Sequence, residues 1–339
     1  MTTTSLRAPE THTAGFGREA KAPTRTLWYA LVTGFGLVLP LLVNSPLLFT
    51  LLTQAAIGAL LAVSVGLLIR QNGAVSFGQA LYFGLGAYGV ALAVRQGAFP
   101  IEVGLFLAIA APSLLAFGFG LVIVRIRGVA FGMLTLAIGQ AFYELVGRWR
   151  ELANGDDGLA FSLSGRIFGA PIAWVQNPAS MFVICWLVLM LVLVALSSFA
   201  RSHYGTLTLA IRDNEERARF IGYATVLPRA LVFALSAALA ALAGVLFALY
   251  NSFVSPDILH WSYSGAALIM AIIGGTRFVW GPALGAAIYF FFKNAAGDFT
   301  EHWPAIIGLT LIVVTVLLPR GISGALQTLI ARLYRRRRP

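Results

Sequence analysis

The sequence predicts an all-α polytopic membrane protein with about ten transmembrane segments, some short or broken, and with both termini cytoplasmic. Three observations predict it. Of 339 residues, 59% are apolar and only 11% charged, whereas a soluble domain is about half apolar and a quarter charged. Apolar runs recur from residue 27 to residue 318, and a bilayer-spanning helix needs ~20 such residues. The basic residues between those runs sort to one side. The lipid bilayer is therefore the solvent this chain requires.

The elements follow in order. Residues 1–26 are polar and form a cytoplasmic N-terminal tail, and the first apolar run, 27–43, ends without a small-residue cleavage site and is read as a retained span. Further runs cover 47–69, 77–94, 99–124, 129–146, 179–199, 230–250, 263–275, 280–292 and 304–318. With both termini inside, 19 of the 24 Lys and Arg fall in cytoplasmic parts, including Arg70, Arg125, Arg127, five in 200–229 and six in 320–339. Only Arg95, Arg148, Arg150, Arg166 and Lys293 fall outside, and that bias sets the orientation. The runs 263–275 and 280–292 would each span ~20 Å as helix against a ~30 Å core, so they are tilted, broken or longer than hydropathy draws them. Gly274-Gly275-Thr276-Arg277-Phe278-Val279-Trp280-Gly281-Pro282 between them has the glycines and proline that interrupt a helix.

Several functions are excluded by what the chain lacks. Its only lysines, Lys21 and Lys293, do not follow a glycine, so there is no phosphate-cradling loop of the ATPase kind. His12, His203, His260 and His302 are scattered, and Cys185 is alone in an apolar run; no metal site or disulfide framework is expected. The net charge of +11 is explained by the cytoplasmic bias, not by nucleic-acid binding. Acids within the spans are few: Glu102 and Glu144 lie near outer ends, and Glu144 is spaced to pair with Arg148 on one helix face. Neither catalysis nor an ion relay has visible apparatus, so an energy source would come from a partner.

Residues 200–229, the longest polar segment between spans, carry a modest apolar stripe (Ala210, Ile211, Ala218 and Ile221, with Phe220 as a further candidate) beside the mixed charges Arg212, Asp213, Glu215, Glu216, Arg217 and Arg219. That pattern predicts a short amphipathic cytoplasmic helix stopped at Gly222.

The segments SFGQALYFGLGAY (76–88), VRIRGVAFGMLTLAIGQ (124–140), NGDDGL (154–159), YGTLTLAIRDNEERARFIGY (204–223), FVSPD (253–257), GGTRFVWGPALGA (274–286) and LLPRGI (317–322) resemble, in order, blocks of the LivM-type permeases of branched-chain amino acid ABC importers. The resemblance covers about residues 50–322. It departs from the family pattern at Arg277 and Phe278, where relatives carry glycine and a small hydroxyl residue, and at Ala153-Asn154. It implies a transmembrane permease domain (27–318) working with a LivH-like sister permease, two cytoplasmic ABC ATPases and an extracytoplasmic solute-binding protein. No cofactor would sit on this chain; ATP and Mg would be bound by the ATPases. By the same analogy the loop 200–229 is the ATPase-coupling loop, with Arg212, Asp213, Asn214, Glu215, Glu216, Arg217, Ala218, Ile221 and Gly222 as its contact set. Asp156, Asp157, Asp257 and His260 would face the binding protein.

Gln79, Tyr88, Gln140 and Ser264 are candidates to line the translocation path, with interhelical hydrogen bonding as the alternative role for each. Relatives of this type also carry urea, short amides and small organic acids, and an ATP-independent carrier or channel is the reading from another class. The basic tail 319–339, with Arg332 and Arg335 to Arg338, is expected on the inner leaflet, where each basic residue near anionic lipid contributes ~1 kcal/mol.

Overall fold

A computed structural model describes residues 22–43, 45–97, 100–163, 166–167, 169–299, 303–318 and 321–336. The expectations for residues 1–21, for His302 and for Arg337 and Arg338 lie outside the described residues, as do the side chains of Arg332, Arg335 and Arg336. Each of the ten apolar runs is met by one helix: α1 Ala22–Leu42, α2 Pro46–Asn72, α3 Gln79–Gln96, α4 Ile101–Ile123 and α5 Val129–Arg148, then, after two single-turn helices (α6 Arg150–Ala153, α7 Ala173–Gln176), α8 Pro178–Phe199. The loop helices α9 His203–Asp213 and α10 Glu215–Phe220 come next, then α11 Val226–Asn251, α12 Trp261–Gly274, α13 Gly281–Phe299, α14 Trp303–Leu317 and α15 Gly321–Arg336. Helix ends follow local chemistry. Ser45 caps α2 with Pro46 at its first position, and Asn177 and Pro178 do the same for α8, because a proline at N1 has no amide left to satisfy.

Five helices, α2, α4, α5, α8 and α11, are long and apolar enough to cross a membrane. The second of the two short runs is longer than hydropathy draws it: α13 has 19 residues, ~28 Å of helix. The first stays short, with 14 residues in α12. Phe106, Leu107, Leu114 and Val122 of α4 and Leu187, Leu191 and Val194 of α8 are exposed. Large aliphatic faces left uncovered along whole helices are what a lipid-facing rim requires.

The centre is built from α2 and α11, which are mostly buried and pack on one another. Each packs on the two helices that follow the other: α11 against α3 and α4, α2 against α12 and α13. The two units share a sequence echo. Asn72-Gly73-Ala74-Val75-Ser76 closes α2 and Asn251-Ser252-Phe253-Val254-Ser255 closes α11, with Gly73 (φ 65°) and Ser252 (φ 53°) both left-handed at the helix stop. Left-handed backbone is ordinary for glycine and costly for serine, so the second stop is held by its surroundings.

After Gly73 the chain is irregular and largely buried until α3 begins. The amide of Phe77 donates to the Thr135 hydroxyl (3.1 Å), two turns into α5, and the amide of Ala80 donates to the Ser264 hydroxyl of α12 (2.8 Å). Irregular backbone at such depth persists only where protein satisfies its polar groups. Two two-residue antiparallel ladders complete the chain, Leu159–Ala160 with Phe253–Val254 and Arg166–Ile167 with Ala170–Pro171; hydropathy gave no sign of either.

Candidate functional site

The expected single amphipathic helix in 200–229 is two helices, α9 and α10, broken at Asn214. Asn214 is extended (φ −156°, ψ 97°) and its side-chain oxygen accepts from the Arg217 amide (2.9 Å), so it ends α9 and caps α10. An Asn that bonds backbone three residues on is better used at a cap than inside a helix. Ser202 caps α9 in the same way. Gly222 (φ 94°) ends the pair. The buried stripe is Gly205, Thr208, Ile211 and Ala218, with the Thr208 hydroxyl donating to Gln71 of α2 (2.9 Å). Ala218 and Ile211 thus face inward, whereas Phe220 (91% exposed) and Ile221 (69%) face out.

The charges of this loop divide in the same manner. Glu215 turns inward and its carboxylate is 8% exposed. Oε1 accepts from Arg219 (2.6 Å) and from the Thr225 hydroxyl (2.9 Å); Oε2 accepts from Arg127 in the α4–α5 turn (2.6 Å) and from Arg229 in the first turn of α11 (3.0 Å). Burial raises the carboxyl pKa, and the Thr225 hydroxyl with Arg127 and Arg229 outweighs it, holding Glu215 below the usual carboxylate range. Arg212 donates to its neighbour Asp213 (2.8 Å) and to the Arg70 carbonyl at the end of α2 (2.6 Å). Glu216, Arg217 and Gly222 are exposed. Asn72, Arg127, Ile211, Arg212, Asp213, Glu215, Glu216 and Arg229 all border one open cleft of ≈ 390 Å³ on this face. Arg127, Thr225 and Arg229 did not stand out in the sequence, since a contact between residues 88 apart leaves no spacing to read.

The four path candidates take up two arrangements. Gln79 and Ser264 are fully buried and meet at the start of α3: Ser264 caps Ala80, and Gln79 donates to Ser236 of α11 (3.1 Å), which donates in turn to the Ser64 carbonyl of α2 (2.7 Å). Tyr88 is buried two turns further on and Gln140 half-buried on α5; the Tyr88 hydroxyl and the Gln140 carbonyl oxygen have no hydrogen-bond partner among the described residues. The ladder between Leu159–Ala160 and Phe253–Val254 ties the segment just after the Asp156-Asp157 turn to the segment just before Asp257 and His260. All three aspartates are exposed, and His260 packs its ring on Tyr143 (5.3 Å) and bonds Ser262 (2.9 Å). The Glu144–Arg148 pair forms at 3.5 Å on an exposed face. Among the described residues no group of three or more His, Cys, Asp or Glu could hold a metal ion.

A helix bundle with an uncovered apolar rim and a braced, charged loop on one face is the architecture of a multi-pass membrane protein. The chain belongs to the family described as the permease component of the branched-chain amino acid transport system, which matches residues 47–316. Among relatives, the high-affinity branched-chain amino acid transport system permease protein LivM of Escherichia coli (strain K12) is 25% identical over 293 residues, 80% of this chain and 68% of that one. The LivH permease of the same strain is 29% identical over 148 residues, 43% of this chain and 48% of that one. The autoinducer 2 import system permease protein LsrC of Enterobacter sp. (strain 638) is 31% identical over 237 residues, 67% and 64% of the two chains. No solved structure matches. The protein is thus a transport permease component of the bacterial inner membrane, in a family that is not catalytic.

Proposed function

We propose that this chain is the LivM-like half of a permease pair that carries branched-chain or related amino acids inward, driven by two separate ATPases and supplied by an extracytoplasmic binding protein. In this reading the chain has ten spans with both termini cytoplasmic, so that loop 200–229 lies inside and Asp156, Asp157, Asp257 and His260 lie outside, which the charge bias of the sequence supports. The observation that carries the reading is the loop itself: two capped helices fixed between α8 and α11, with Glu216, Arg217, Phe220 and Ile221 turned to solvent. Exposed aromatic and arginine side chains side by side are the residue types that anchor protein interfaces. ATP and Mg belong to the partner subunits in this reading, and chemistry occurs only there. Family membership and the LivM relatives support the cargo class; the LsrC relative, named for autoinducer 2, shows that similar permeases serve other solutes, so short amides and small acids remain within the same reading.

Purification from native membranes in mild detergent, with mass spectrometry of whatever remains bound in fixed ratio, tests it. The expected result is a sister permease and two ATPases, with ATPase recovery reduced about tenfold by Phe220→Asp or by Glu216→Arg, the effect of losing ~1.4 kcal/mol of interface energy. A chain recovered alone that moves leucine into liposomes without ATP would replace the importer by a carrier.

A further inference from the structure

We infer that Glu215 is a positioning residue for energy coupling: its carboxylate fastens α10 to the α4–α5 turn and to α11, so that force on α10 reaches both. The inference rests on the importer reading above and extends it to residues outside the loop. Its first ground is saturation. An ionised carboxylate offers about four acceptor positions, and Glu215 uses them on Arg219, Thr225, Arg127 and Arg229. Nothing is left with which to hold a partner chain, so Glu215 acts within the permease while Glu216 beside it is exposed.

The second ground is that α10 cannot position itself. With six residues, Glu215–Phe220, it is far shorter than a helix stable alone, and it is joined to α9 by the break at Asn214 and to α11 by the irregular segment 221–225. Two joints in series would let it swing. The Glu215 carboxylate removes that freedom by bonding two residues beyond the joints, Arg229 in α11 and Arg127 in the turn that separates α4 from α5. The third ground is Arg229, whose side chain is also 8% exposed. A buried guanidinium is tolerated where a carboxylate faces it, and Glu215 is its ion-pair partner in the structure. α11 lies at the centre of the molecule and α5 carries the Thr135 contact that holds the segment before α3. The carboxylate therefore joins the cytoplasmic loop to the two elements that bracket the start of α3.

Two measurements test this. In the assembled complex, reconstituted with binding protein and leucine, Arg127→Ala and Glu215→Gln are each expected to lower solute moved per ATP hydrolysed about tenfold, a usual size for coupling between sites. ATPase recovery should stay near normal, and Arg127→Lys should restore part of the loss. In the permease chain alone, spin labels at Val129 and Phe220, both exposed, should give a narrow distance distribution that broadens on Glu215→Gln. Unchanged transport per ATP in both variants with a narrow distribution would overturn the inference, as would a transport loss that merely follows a loss of assembled complex. Failure of the unaltered chain to retain any ATPase would instead overturn the importer reading, and the label distances would still decide whether Glu215 holds α10.

Discussion

At the residue scale the cytoplasmic carboxylate makes a prediction about pH. A folded-state pKa below the unfolded one gives stability that is complete above the unfolded value, ~4.3 for Glu, and that is lost as pH falls through the folded value. The Glu215 contribution should therefore be flat from pH 8 to about pH 5 and decline below that. Thermal unfolding in detergent should show a drop in Tm as pH falls below about 4.3, the unfolded Glu value, that is smaller in Glu215→Gln; an identical drop would mean that other carboxylates carry it. A second prediction concerns close approach. A Cβ on Gly244 of α11 would collide with the carbonyl oxygen of Phe83 in α3, so Gly244→Ala is expected to cost about 1–3 kcal/mol, seen as a lower Tm, whereas Gly118→Ala on α4, with open space around it, should cost nothing measurable. The importance of single residues was only partly legible in the sequence. The exposed loop charges and Glu144–Arg148 follow from spacing along one helix. Whether Gln79 lines a path or bonds a neighbouring helix depends on Ser236, 157 residues away, and periodicity carries no information over that distance.

At the element scale, hydropathy located each helix that meets one of the ten apolar runs, because burial in lipid imposes a length that composition must meet; it did not register α15, whose 16 residues fall in the stretch read as a basic tail. What it missed are the places where backbone is held by another element. Residues 77 and 78 are apolar or neutral enough to read as span, yet they stay outside α3 as irregular backbone, because Thr135 of α5 accepts the Phe77 amide and Ser264 of α12 takes the first turn of α3. Ser264→Ala leaves the Ala80 amide buried with no acceptor and should cost ~1 kcal/mol or more, whereas Ser264→Thr keeps the hydroxyl and should cost less; equal losses in denaturant titration would show that packing rather than the hydroxyl matters. The break at Asn214 was missed for a related reason. A helix-period stripe over 205–218 does not reveal that one polar residue caps the second half against the first.

At the scale of the whole molecule, the orientation expected in the membrane follows from the bias of Lys and Arg to one side of the spans. It is open to a direct test. Cys185 is the single cysteine and is buried, so Cys185→Ala gives a background without thiols. New cysteines at Tyr204 and Glu216 should react with a membrane-impermeant maleimide only in inside-out vesicles, and those at Asp156 and Asp257 only in right-side-out cells. The opposite pattern would invert the assignment of the coupling loop and of the docking acids together.

The exchange of partners between the two central helices also has a consequence for how the protein is made. α2 leaves the ribosome long before α12 and α13, about 200 residues later, yet it is against those helices that much of its surface rests. Contacts so distant in sequence form late and slowly, and a half-made chain with uncovered packing surface is prone to wrong association. The first half of this protein is therefore not a folding unit but a template awaiting its complement. Severing the chain in loop 200–225 should yield two fragments that are each degraded when made singly and that recover a stable complex only when inserted into the same membrane together.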